Sequence, residues 1–125
     1  MTSARSVVLV SICFAFAAGH ALGETDAERK QRHEKALKCA EAESIAGAAS
    51  RPIDRPFAVI QDTEELLFFR HTTGTSGNPG QSERVEITEY VGAKTGRRYA
   101  CRVSGSRPET CIEIVIPGSA CLQGR

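Results

Sequence analysis

Thr95–Cys111, TGRRYACRVSGSRPETC, is the stretch on which the fold turns. Arg98 to Ser104 alternates, with Tyr99, Cys101 and Val103 on one side, the period of a strand. Ser104-Gly105-Ser106, then Pro108, breaks the run into a turn. Cys111 to Ile116 resumes strand-like alternation. Two strands joined this closely pair antiparallel. The stretch also packs four arginines, one tyrosine and two cysteines into 17 residues, so it can be a stapled hairpin or the wall of an anion site.

Upstream, Gly92 to Gly96 is a turn, and Val85 and Ile87 alternate with Glu86 and Thr88 in a half-buried strand. Thr72–Ser82, TTGTSGNPGQS, has three glycines, one proline and no apolar residue, and is predicted as a long exposed loop able to meet a protein partner. Leu66 to Phe69 is apolar on both faces, which predicts a buried central strand. Phe57 to Ile60 predicts another short strand, and Arg51 to Pro56, with two prolines, a connector. Cys39–Ser50, CAEAESIAGAAS, is alanine-rich. Its Cys39, Ala42, Ile45, Ala46 and Ala49 share one side of a helix that Ser50-Arg51-Pro52 stops. No helical pattern separates the strands, so neighbours should pair antiparallel. The fold class expected is α+β: one N-terminal helix packed on a twisted antiparallel sheet of about five strands.

The first residues read as a secretory signal peptide. Arg5 supplies the positive charge, Val7 to Ala18 an apolar run, and Ala21-Leu22-Gly23 the small residues before cleavage. The run is shorter than the ~20 residues needed to span a bilayer. The chain therefore divides into a signal peptide (1–23), a charged helical arm (24–38) and a single disulfide-bonded α+β domain (39–125). The protein is expected to be secreted, or periplasmic in a bacterium, with no membrane attachment once mature. Cys13 leaves with the signal. Cys39, Cys101, Cys111 and Cys121 remain, an even number in a short exported chain, and are expected to form two disulfides. Three pairings are open. Alternation turns Cys111 away from Ile112, Ile114 and Ile116 but points Cys101 inward with Tyr99 and Val103, which disfavours a direct Cys101–Cys111 rung. No CxxC occurs, and only His33 and His71 are available outside the signal, so no metal or cofactor is expected.

The formal charge of +1 includes Arg5, so the mature chain is neutral. Its charge is uneven: residues 24–65 carry 7 Lys/Arg against 10 Asp/Glu, and residues 66–125 carry 8 against 5. Arg84, Arg97, Arg98 and Arg102 are candidates for an anion- or RNA-binding face, with Tyr99 available to stack a base.

Gly77-Asn78-Pro79-Gly80-Gln81-Ser82-Glu83-Arg84-Val85 resembles the glycine/proline loop that leads into a strand in guanyl-specific microbial ribonucleases. Arg84 matches the arginine that opens that strand, and Glu65 (or Glu64) lies near the spacing of the family's catalytic glutamate. Gly96, Ser104-Gly105 and Cys111 follow in the order of the family's last hairpin and closing cysteine. In such enzymes a glutamate and a histidine act at the base end, an arginine holds the phosphate and a second histidine is the acid. Here that acid would fall at or beside Ala100, within Tyr99-Ala100-Cys101, and no histidine lies between the helix and Phe57. An imidazole's role at neutral pH passes to none of these residues. The chain is therefore more similar to the secreted ribonuclease-like effectors of plant-pathogenic fungi, which keep the fold, lack the catalytic set and are thought to bind host RNA or protein. Leu37-Lys38-Cys39 stands where such virulence proteins carry an aromatic-x-Cys motif. The resemblance implies Cys39–Cys111 and leaves Cys101–Cys121. It also leaves two alternatives: an active ribonuclease using Glu65 and Arg84, and an exported protein-binding or inhibitor domain acting through Thr72–Ser82.

Overall fold

A computed structural model describes residues 23–123. The signal peptide and Cys13 lie outside the described residues, apart from Gly23. Helix α1 spans Asp26–Ala42. Its start is a capping box: Thr25 Oγ1 accepts from the Glu28 backbone N–H at 3.1 Å, while the Glu28 carboxylate accepts from Thr25 N at 3.2 Å. The compact units of the chain divide between Gln31 and Arg32, inside this helix.

The unit that begins at Arg32 holds the rest of α1, strand β1 (Ala49–Pro52), a short helix α2 (Phe57–Thr63), and strands β2 (Leu66–Ser76), β3 (Glu83–Gly92), β4 (Arg98–Ser104) and β5 (Thr110–Val115). The strands form one antiparallel sheet in the order β1-β5-β4-β3-β2. The fold is α+β, with the N-terminal helix on the sheet and two disulfides.

Each face of the sheet is covered at the end where β2 begins. On one face stand Arg98, Ala100 and Arg102 of β4, beside Ile112 and Ile114 of β5 and Glu89 and Val91 of β3. The last turns of α1 meet this face through buried Ala36 and Ala40 and through the Ala40 carbonyl, which lies 3.5 Å from Arg98 Nη1. On the other face stand Tyr99 and Cys101, with Tyr90 of β3 and Glu113 of β5. Phe57 of α2 packs its ring 5.4 Å from that of Tyr90. The fully buried Tyr99, Ile60 and Val91 mark the centre of the core.

This two-sided arrangement corrects the cysteine pairing. The bonds are Cys39–Cys121 and Cys101–Cys111, and Cys101 and Cys111 are direct partners across β4 and β5. Neither half of the pairing implied by the resemblance forms. Cys111 does face away from Ile112 and Ile114. Cys101 faces the same way as Cys111, because Tyr99 and Cys101 are buried on the second face rather than beside the isoleucines.

Other local readings change as well. Phe57–Thr63 is helical, started by Pro56, whose carbonyl accepts from Val59 and Ile60, and buries only Ile60. The α1 stripe lies earlier than expected: the helix ends at Ala42, Ile45 is 43% exposed and Ala49 opens β1. Leu66 to Phe69 begins an edge strand, with Phe68 60% exposed. The expected loop shrinks to residues 77–82, because Thr72, Thr73 and Thr75 are β-branched and extend β2 as an exposed ribbon against β3. Gly96, at φ 76°, makes a close approach: a Cβ there would run into the Cys121 backbone.

Candidate anion-binding site

The five residues expected to form a cationic, base-stacking face do not form one. Arg98 is 3% exposed. It lies 4.5 Å over the Phe69 ring and places Nη2 3.3 Å from Glu89 Oε1, while its Nε has no hydrogen-bond partner. Burial lowers its pKa from the usual arginine value, against the pull of Glu89 and Glu43. Arg98 is thus a core cation, paid back by a carboxylate and an aromatic face. Tyr99 is 1% exposed and donates its hydroxyl to Glu64 Oε2 at 2.7 Å, so its ring offers no surface to a base. Burial, then the Glu64 carboxylate, pushes the phenol pKa up. Arg97 is exposed and lies 3.9 Å from Glu64. Only Arg84 and Arg102 remain on the open surface away from the buried end.

Glu64 and Glu65, indistinguishable as sequence candidates, have different surroundings. Glu64 is 3% exposed and accepts from Thr95 Oγ1, Tyr99 Oη and Arg55 Nη2, each at 2.7 Å. Burial alone would raise its carboxyl pKa, but these three hydrogen bonds outweigh it and hold the group below the usual range. It ties α2 to β4 and to the Gly92–Gly96 turn. Glu65 follows α2 in the left-handed region, φ 54°, at the position that ends many helices, usually with glycine. Its half-exposed carboxylate meets His33 Nε2 at 2.6 Å and Arg32 Nη1 at 2.8 Å. Hydrogen bonds from Arg32 and then His33 hold its pKa down to about 2.

Glu65 and Arg84 are not brought together. Leu66 pairs with Gly92 and Thr75 with Arg84, so the two side chains start from opposite ends of the β2–β3 ribbon. Eight residues of β3 at about 3.3 Å each put roughly 26 Å between them. Arg84 instead lies 3.4 Å from Glu86. The histidine at Glu65 comes from the part of α1 that the sequence reading assigned to the charged helical arm, 24–38. The available signal was the helical spacing of His33, Ala36 and Ala40.

The surface that does gather cations is the outer end of the β4–β5 hairpin. There an open concavity of about 280 Å³ is lined by Arg102, Ser104, Arg107, Pro108 and Thr110. Arg102 Nε donates to Ser104 Oγ at 3.0 Å, which aims the rest of the guanidinium and leaves the serine proton for another acceptor. The turn is closed by Arg107 N donating to Ser104 O at 3.0 Å, and Gly105 N donates to Arg84 O at 3.1 Å. Arg84 therefore lies next to this turn by its backbone only: Val85 is the residue paired with Ser104, so alternation turns the Arg84 side chain to the opposite face of the sheet, where it meets Glu86. The Cys101–Cys111 rung lies just below and fixes the hairpin's base. Sequence reasoning counted Arg107 in the basic stretch but did not place it in the site.

Cys101, Cys111 and Glu109 also cluster, but the two sulfurs are bonded to each other and hold no thiolate for a metal. Among the described residues no helix is long and apolar enough to cross a membrane.

The Glu65 cluster sets an acid response. Because its folded pKa is depressed, its contribution to stability is full above the ordinary value of 4.5 and fades as pH falls toward about 2. Glu65→Gln should cost about 1 kcal/mol at neutral pH, the modest figure for a half-exposed cluster. The gap between variant and wild type should close between those two pH values in urea melts. A gap that is constant with pH would contradict the assignment.

No protein-family model, curated protein or solved structure matches the chain.

Proposed function

We propose that this is a secreted, disulfide-braced protein that binds RNA at the outer end of the β4–β5 hairpin and does not cleave it. The supporting observation is the concavity that Arg102 and Arg107 share with Ser104, Pro108 and Thr110. Guanidinium groups match phosphate oxygens in charge and in planar geometry. The signal-like N-terminus and the two disulfides support export. The distance between Glu65 and Arg84 argues against cleavage by that pair, since one phosphate cannot reach both.

Filter binding with single-stranded RNA tests the reading. Affinity should fall as salt rises, with a log–log slope that becomes shallower by about one for each phosphate-contacting arginine removed. Arg102→Ala with Arg107→Ala should weaken binding by at least about tenfold, or ~1.4 kcal/mol. Salt-independent binding, or none, contradicts the proposal.

One observation favours a second reading, an active ribonuclease. Glu65 has His33 and Arg32 beside it, a carboxylate, an imidazole and a cation in one part-exposed cluster. Cleavage of RNA without metal, lost in Glu65→Gln, would establish this reading in place of the first. Intact RNA after prolonged incubation removes it.

A further inference from the structure

The donors around the hairpin concavity outnumber what an internal phosphodiester can accept. Arg102 keeps its two Nη groups free of the Ser104 contact, Arg107 adds a second guanidinium, and Ser104 and Thr110 add hydroxyls. A diester inside a strand carries one negative charge and two unesterified oxygens. A phosphomonoester carries nearly two charges and three such oxygens. Two guanidiniums flanking one depression balance the second, not the first.

Size and shape point the same way. Small-molecule sites usually run from about 300 to 1,000 Å³, and this depression is about 280 Å³. It accommodates the end of one nucleotide rather than a length of strand. Pro108 is the one apolar wall, suited to a ribose edge. The neighbouring acids are placed unequally. Glu109 is directed to the disulfide, its Oε1 3.8 Å from Cys111 Sγ. By strand alternation Cys111 points to the face opposite Thr110. Glu83 is the acid on the rim, its carboxylate lying against Gly105.

We infer that the concavity is a receptor for a phosphomonoester at the end of a single-stranded RNA, with Arg102 and Arg107 taking its oxygens. This rests on the RNA-binding reading above and names the group recognised. Fluorescence anisotropy with three short RNAs of one sequence tests it: 5′-phosphate, 3′-phosphate, and hydroxyl at both ends. Inorganic phosphate serves as competitor. One phosphorylated end should bind about tenfold tighter than the hydroxyl-ended RNA. That advantage should disappear in Arg107→Ala and in Arg102→Ala, shrink in Arg107→Lys, grow in Glu83→Gln, and be competed by inorganic phosphate. These substitutions are all at exposed positions, and circular dichroism confirms that each variant is folded.

Equal, salt-sensitive binding of all three RNAs, still lost in the arginine variants, overturns end recognition and leaves RNA binding in place. No binding of any RNA by the folded protein overturns both. An end-phosphate advantage that survives Arg102→Ala and Arg107→Ala overturns the assignment to this concavity.

Discussion

Replacing Cys39 and Cys121 together by serine is expected to destabilise the folded chain by about 4.5 kcal/mol, the largest effect expected of any substitution here. The bond joins residues 82 apart in sequence, while Cys101–Cys111 joins residues 10 apart. Closing the longer loop removes more disorder from the unfolded chain, and the same relation gives about 3 kcal/mol for the shorter one. The long link also has a local task. The segment after β5 is held by Ser119 donating to the Glu43 carboxylate at 2.9 Å and by Gln123 N donating to Thr95 O at 2.9 Å. Without the bond these contacts must hold the tail alone. Urea melts of the two double-serine variants should rank the Cys39/Cys121 pair as the less stable. The reverse order would mean that the unfolded-state argument does not govern this protein.

Glu64→Ala should cost about 3 kcal/mol, the usual scale for breaking a buried charged network. The variant leaves the Tyr99 hydroxyl buried without its acceptor and removes the partner of Arg55 and Thr95. Glu64→Gln retains an acceptor oxygen for part of the network but presents an amide N–H₂ to donors, and should cost about half as much. Since the Glu64 pKa is lowered in the folded state, its contribution is complete above the ordinary carboxylate range and is lost as pH falls below it. The alanine variant should therefore show less acid-induced loss than wild type in that range. A cost below about 0.5 kcal/mol, the size of a surface substitution, would show that the network is dispensable.

Alternation in Thr95–Cys111 and the turn at Ser104–Ser106 were enough to read the last hairpin, and the absence of crossover helices enough to read an antiparallel sheet. Which residues are buried was harder. Period two separates Tyr99 from Arg98 but does not say that both sides of β4 are covered. The expectation of one covered side set Cys101 and Cys111 on opposite faces and left Arg98 on the surface, although Cys101 is buried with Tyr99 as its alternation implied. A buried arginine cannot be read from its neighbours in sequence, because Phe69 and Glu89, which make its burial tolerable, lie on other strands. Phe57-Ala58-Val59-Ile60 was ambiguous for a different reason. Four apolar residues fit either period, and only Pro56 before them hinted at a helix start.

The site divided in the same way. The ribonuclease resemblance pointed to Glu65 or Glu64 without choosing between them, and the partners of Glu65, His33 and Arg32, come from α1, more than 30 residues earlier, and depend on the helix's orientation. Arg102 was found because it sits in a basic run. Arg107 becomes its partner only when the turn folds back and the two guanidiniums share one depression.

RNA titration followed by backbone amide chemical shifts is the most direct test of the hairpin as the binding surface. Shifts should concentrate at Arg102, Ser104, Arg107 and Thr110, and leave Arg98 and Tyr99 nearly unmoved. Shifts centred on Arg32, His33 and Glu65, or none at saturating RNA, would contradict it.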